Sequence, residues 1–127
     1  MLIGLVRTNF YNGNKKRNLG EIAVYIENNG MSAEKVGSKK PNAFGLFDMA
    51  GNVSEWCIDW YMDNDNNDIN TIDPHGPENG SARVFRGGAW NSYAEYCRAA
   101  DQGRCSPTQG LNYLGMRIAR VHPMPSK

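Results

Sequence analysis

Cys57, Cys97 and Cys105 are the side chains of this 127-residue sequence with the widest chemistry. Their spacing is neither a disulfide framework nor a CxxC metal pattern, so at most one bridge can form. That leaves the redox compartment open. His75 and His122 each sit beside prolines with no second histidine or nucleophile nearby, and both read as surface residues. Asp63 to Asn70, DNDNNDIN, has the composition of a calcium loop but lacks the loop glycine and distal glutamate of an EF-hand, and reads as a solvated loop. The stretch Arg83 to Cys97, RVFRGGAWNSYAEYC, runs from a short apolar segment through a double glycine and Trp90 into a polar segment dotted with tyrosine. A catalytic cysteine loop and a ligand-reading loop are the two chemistries it could serve.

These residues need elements to hold them. Val53 to Trp60 alternates, with Trp56, Ile58 and Trp60 on one side and Glu55, Cys57 and Asp59 on the other, as a half-buried strand does. Ala82 to Phe85 predicts a second strand, ended or bulged by Gly87-Gly88. Leu114, Met116 and Ile118 alternate with Gly115, Arg117 and Ala119, the pattern of a final strand. The expected core is therefore Trp56, Ile58, Trp60, Val84, Phe85, Trp90, Leu114, Met116 and Ile118. On that last strand Arg117 is expected to make a structural ion pair or carbonyl contacts rather than a substrate contact. Residues 11–20 carry only turn and charge signals and predict a loop. Glu21 to Asn28 suits a short strand and one or two helical turns equally. Asp63 to Pro77 predicts an exposed excursion, and HPMPSK a tail.

At this length the chain has room for one domain, residues 1–127, with a modest core. Fourteen glycines and six prolines punctuate it every few positions, which argues for short strands and long ordered loops. The net charge is +1 and its densest basic cluster, Lys15, Lys16 and Arg17, lies in an Asn/Gly-rich segment, so nucleic acid is not an expected partner. No apolar run approaches the roughly 20 residues of a membrane span, and MLIGLVRTNF is too short and polar for a signal peptide. Membrane insertion is not expected, and localisation stays open.

Four ordered blocks, PNAFGLFDMAGNVSEWCIDWY, RVFRGGAW, CRAADQGRCSP and LGMRIAR, resemble the formylglycine-generating enzyme, or sulfatase-modifying factor, family across about residues 36–120. The resemblance implies an α+β, loop-rich, C-type-lectin-like fold with few short strands. Ser54 stands where family members usually have tryptophan, and Met116 where they have phenylalanine. The helical N-terminal portion typical of the family is not recognisable, which implies a shortened domain and, for partners, a homo-oligomer or a companion chain completing it.

The same resemblance makes two site expectations. In the enzymes that make formylglycine, a pair of cysteines five positions apart follows the GGAW-like motif, binds copper and activates oxygen to oxidise a substrate cysteine. Here Asn91, Ser92 and Tyr93 follow Trp90, and only Cys97 lies in that reach. Soft Cu(I) needs thiolates, so copper is not expected and no catalytic residue is assigned. Cys97 reads as a small buried hydrophobe beside Cys57. Asp48, Gly51, Val53 and Glu55 match a calcium site of the family position by position, and Ca²⁺ is the cofactor implied.

The loop after Trp90 also resembles the binding surface of variable proteins of diversity-generating retroelements, which substitute at asparagine codons between a motif like RGGAW and a final strand like LGMRIAR. Asn91, Ser92, Tyr93, Tyr96, Asp101, Gly103, Arg104, Cys105, Ser106, Gly110, Leu111, Asn112 and Tyr113 are all reachable by changing adenines in such a codon. Tyrosine brings large contact area at low entropy cost, and small polar residues adapt their hydrogen bonds. Asn, Gly and Ser also fill ordinary loops. As the longest polar stretch between two expected core strands, this one predicts a non-catalytic recognition surface for a protein or glycan. The alternatives are a formylglycine-generating oxidase and a structural remnant of one.

Overall fold

The computed structural model describes residues 8–29, 31–62 and 76–120. The expected opening segment through Arg7, most of the Asp63 to Pro77 excursion, both histidines and the tail lie outside the described residues.

Four strands form one sheet in the order β3-β2-β1-β4. β1 (Ser54–Trp60) pairs antiparallel with β2 (Arg83–Arg86), and β2 pairs antiparallel with β3 (Gly103–Cys105). β4 (Leu114–Gly115) joins β1 in parallel, Ser54 opposite Leu114. Trp56 lies opposite Phe85, and their rings meet edge to face at 6.3 Å and 87°, the geometry that aromatic quadrupoles favour.

Most of the buried cluster lies off the sheet. Phe10, Leu19, Ile22, Ala23, Tyr25, Ala50, Ala94 and Cys97 form it, from short 3₁₀ helices, turns and irregular segments. Residues 16–20, read as loop, fold with Glu21 into a short 3₁₀ helix whose one apolar side chain, Leu19, is fully buried. The Leu19 carbonyl accepts the amides of Ile22 and Ala23 at 3.0 and 2.9 Å and closes it. Beyond it, Ile22 to Tyr25 is neither strand nor helix. Four successive buried residues have no polar face to offer solvent, so their backbone groups are satisfied locally. The Asn28 side chain accepts the Tyr25 amide (2.8 Å) and donates to the Ala23 carbonyl (2.7 Å), while the Val24 carbonyl takes the Asn52 amide (2.7 Å).

The expected core needs correction in three places. Val84 is buried, and Trp56, Trp60, Phe85, Trp90 and Leu114 are half-buried, but Ile58, Met116 and Ile118 are 87%, 77% and 91% exposed. In β1 the register shifts between Trp56 and Trp60, so the strict alternation that would bury Ile58 is broken. The final strand stops at Gly115, so the alternation of Met116 and Ile118 has no pairing to orient it.

Candidate functional site

The frame of the site is the join between the double glycine and the turn at residues 50–52. Gly51 donates to the Gly87 carbonyl (2.7 Å), and Trp90 donates to the carbonyl of Asn52 (2.8 Å). Gly88 has φ +69°, and a Cβ there would stand 2.7 Å from the Cys97 sulfur and 2.8 Å from the Tyr96 carbonyl oxygen. Only glycine fits that approach. Ser92 then closes a tight turn: its hydroxyl accepts the Ala89 amide (2.9 Å), its amide donates to the Ala89 carbonyl (2.9 Å), and its carbonyl takes the Ile26 amide (3.1 Å). The chain is thus held rigidly through Ser92.

A second 3₁₀ helix, Ala94–Cys97, follows and buries Ala94 and Cys97. Its geometry sends Tyr93 and Tyr96 outward, 53% and 52% exposed. Together with Tyr113 they line a cavity of about 480 Å³, within the range of small-ligand sites. Asn91, Ser92, Asp101 and Gly103, also expected on sequence grounds, line it too. The other expected positions are elsewhere. Arg104 sets its guanidinium 4.4 Å over the Tyr61 ring, Cys105 is buried, and Ser106, Gly110, Leu111 and Asn112 do not line the cavity.

Sequence reasoning missed Arg86 and Gln102. The Arg86 guanidinium donates to the carbonyls of Ala100 (3.3 Å) and Asp101 (3.1 Å) and to the Gln102 side-chain oxygen (3.1 Å), fixing the part of the lining that Arg86, Asp101 and Gln102 supply. Its signal was its place at the end of a strand just before the double glycine. Asp101 lies 3.8 Å from Arg98, yet burial pushes its carboxyl above the usual range against the pull of Arg98 and Arg86.

All three cysteines are free thiols. Cys97 belongs to the buried cluster with Leu19 and Ile22, and burial, reinforced by Asp101 and Glu95, pushes its thiol up to about 12. It is a thiol, not a thiolate, at neutral pH. Cys57 is half-buried on β1 in a groove with Met49 and Trp56, and burial raises its thiol as well. Cys105 contacts the Gln109 side-chain oxygen at 3.1 Å.

The 48–55 turn carries left-handed backbone at Asp48 (φ +54°) and Asn52 (φ +65°). One Asp48 carboxylate oxygen accepts the Gly37 amide (2.7 Å). Both oxygens of Glu55 are held by the Arg117 guanidinium, at 2.7 and 2.8 Å, and Arg117 also donates to the carbonyls of Phe47 (2.9 Å) and Asp48 (3.3 Å). Its expected structural role is what the geometry displays. Two carboxylates and two carbonyls in one turn are a hard-oxygen donor set that suits Ca²⁺ by chemistry, but an ion there would share Glu55 with Arg117.

A family model, the sulfatase-modifying factor enzyme 1-like domain, matches residues 6–122. The chain belongs to that family. It is 41% identical over 96 residues to a formylglycine-generating enzyme of Streptomyces coelicolor, covering 73% of this chain and 31% of that protein. It is 43% identical over 86 residues to serine/threonine-protein kinase pkn1 of Chlamydia pneumoniae, covering 65% of this chain and 14% of that one. Treponema denticola variable protein 1 superposes with a TM-score of 0.74 at 41% identity, over 81% of this chain and 37% of that chain. The chain thus spans about a third of the length of the enzyme and the variable protein. Its small sheet, short helical turns and long ordered loops are the formylglycine-generating type of C-type-lectin-like fold.

Proposed function

We propose that this sulfatase-modifying factor-like domain is a non-catalytic recognition module that reads a ligand in the cavity between Tyr93, Tyr96 and Tyr113. The observation that carries this reading is the convergence of those three tyrosines, with Asn91, Ser92 and Asp101, on one cavity mounted on a hydrogen-bonded frame. Half-exposed tyrosines anchored on a fixed backbone lose little entropy on binding. Similarity to Treponema denticola variable protein 1 supports assigning diversification to the residues that line the cavity, and a protein or glycan is the ligand class. Proteins named for different activities each match most of this chain at similar identity, which favours a frame that is not tied to one reaction.

The oxidase reading lacks its chemistry, since paired thiolates are what copper would need and Cys97 is a buried thiol. The calcium proposal stands on Asp48, Gly51, Val53 and Glu55, with the ion competing against Arg117 for Glu55.

Two tests bear on the recognition reading. Incubation with copper and a sulfatase-type CxPxR peptide should give no conversion of cysteine to formylglycine by mass spectrometry, and turnover would end the non-catalytic reading. For diversification, a neighbouring reverse-transcriptase gene should accompany a near-copy of the DNA for residues 91–113 that differs only at adenines. Differences at other bases would remove it.

A further inference from the structure

Part of the lining of the tyrosine cavity is also what holds the cavity together. Gly103 on β3 lies opposite Phe85 on β2, and both line the cavity. A Cβ at Gly103 would stand 2.1 and 2.2 Å from the Cε2 and Cζ atoms of the Phe85 ring, so the ring fills the space that a side chain there would take. Its contact with Trp56 fixes the ring from β1 as well. An aromatic ring that covers a cross-strand glycine is one packing unit, and here that unit is a fixed apolar floor. Ser92 is fixed in another way. Its hydroxyl accepts the amide of Ala89, which is fully buried, and without that oxygen the amide would be left without a partner.

The other five expected lining residues join the frame through their main chain. The Tyr93 carbonyl accepts the Tyr96 amide (3.0 Å), the Asp101 amide donates to the Arg98 carbonyl (3.1 Å), and the Tyr113 carbonyl accepts the Ser54 amide (2.8 Å). Among the described residues the side chains of Asn91, Tyr93, Tyr96 and Tyr113 make no hydrogen bond, and that of Asp101 adds a 3.8 Å ion pair with Arg98, whose side chain is 45% exposed. A pair of that kind contributes little. Substitution at these five positions therefore keeps every main-chain bond of the frame.

We infer that ligand specificity is set by Asn91, Tyr93, Tyr96, Asp101 and Tyr113, while Ser92 and Gly103 are constant frame and the Phe85 ring is a constant floor that any ligand packs against. This rests on the recognition reading and narrows it: the positions that choose the ligand are five of the seven expected ones, because the other two cannot change without loss of the fold.

Thermal midpoints of the full chain test this partition without any ligand. Ser92→Ala and Gly103→Ala should each lower the midpoint by about 5 °C or more, and Asn91→Ser, Tyr93→Ser and Tyr96→Ser should each stay within about 3 °C of the parent. In a Phe85→Leu background Gly103→Ala should cost less than half as much, because the ring it displaces is gone. Equal losses in both backgrounds, or frame variants as stable as the parent, overturn the partition. Specificity is tested with a yeast-displayed library in which the seven cavity codons are randomised, sorted for protease resistance and then for binding to lysozyme as the probe. Ser92 and Gly103 should be retained at least tenfold above their library frequency, and the lysozyme binders should differ from the parent at the other five positions. Binders that lose Ser92 and Gly103 as often as the unsorted library, or a protease-resistant pool that yields no binder, overturn the assignment. Formylglycine formation in the copper and CxPxR peptide test would instead end the recognition reading, and would leave the ligand-free midpoints standing.

Discussion

The tyrosine cavity and the groove that Val36, Leu46, Phe47 and Met116 line beside Arg117 are both exposed, and both are rich in large side chains, but they are exposed in different ways. Around the cavity the backbone is fixed by short hydrogen bonds at Ala89, Ser92 and Trp90, and the tyrosines that project from it carry a hydroxyl that water can satisfy. In that groove Val36, Leu46, Phe47 and Met116 carry no hydroxyl for water to satisfy, the last paired residue is Gly115, and Arg117 holds Glu55 through two hydrogen bonds. A tyrosine-rich surface can wait in water for a changing ligand. The groove lacks that hydroxyl, and the area it leaves in water carries a cost that a tyrosine partly offsets. Exposure alone does not make a recognition site; the polarity of the exposed atoms and the rigidity beneath them do.

The largest expected effect tests the rigidity of the cavity. Gly88→Ala combines left-handed backbone with a Cβ 2.7 Å from the Cys97 sulfur, and should cost on the order of 3 kcal/mol or more in urea unfolding. Gly110→Ala is the control. A Cβ there meets nothing within 4 Å, so the change should stay under about 1 kcal/mol. Equal effects at the two positions would mean that the join between the double glycine and the second 3₁₀ helix is not what holds the tyrosines.

A middle-sized effect is expected on the other face. Arg117→Ala removes both bonds to Glu55, but the pair is 35% and 24% exposed, so solvent screening limits the loss to about 1 kcal/mol. Arg117→Lys should not restore it, because an ammonium cannot reproduce the fork. Calcium should raise the thermal midpoint relative to chelator, and more so in Arg117→Ala, where Glu55 is released. Identical midpoints with calcium and chelator in both proteins would remove the ion from this turn.

The contrast between the regions also explains what the sequence made legible. β1 and β2 were readable because aromatic and β-branched residues alternate there, and the double glycine marked their end. The seven expected residues that line the cavity were readable because they follow a glycine-framed turn in a polar loop. Arg104 and Cys105 were not separable from them, because β3 is only three residues long and composition carries no signal of so short a strand. The buried cluster was hidden for a different reason. Leu19 is a single apolar residue among lysine, arginine and asparagine, and a 3₁₀ turn that buries one side chain has no period to detect. Met116 and Ile118 had the period of a strand without its pairing, so the pattern was real and the burial inferred from it was not.

The smallest expected effect concerns charge at the cavity. Burial raises the Asp101 carboxyl above its ordinary value, with Arg98 and then Arg86 opposing, so between the unfolded and folded values the folded state binds more protons. Stability therefore falls as pH rises through that window, and at neutral pH the ionised carboxylate is a net cost. Asp101→Asn removes that cost. Asp101 is only partly buried, its side chain 27% exposed, so the gain at pH 7 should be a rise in melting midpoint of no more than about 2 °C. It should vanish once the pH falls below the ordinary carboxylate range, where both states of the parent are protonated. A loss of stability at pH 7 would mean that the contact with Arg98 outweighs desolvation, and that Asp101 is part of the rigid wall and not a strained group held ready for a ligand.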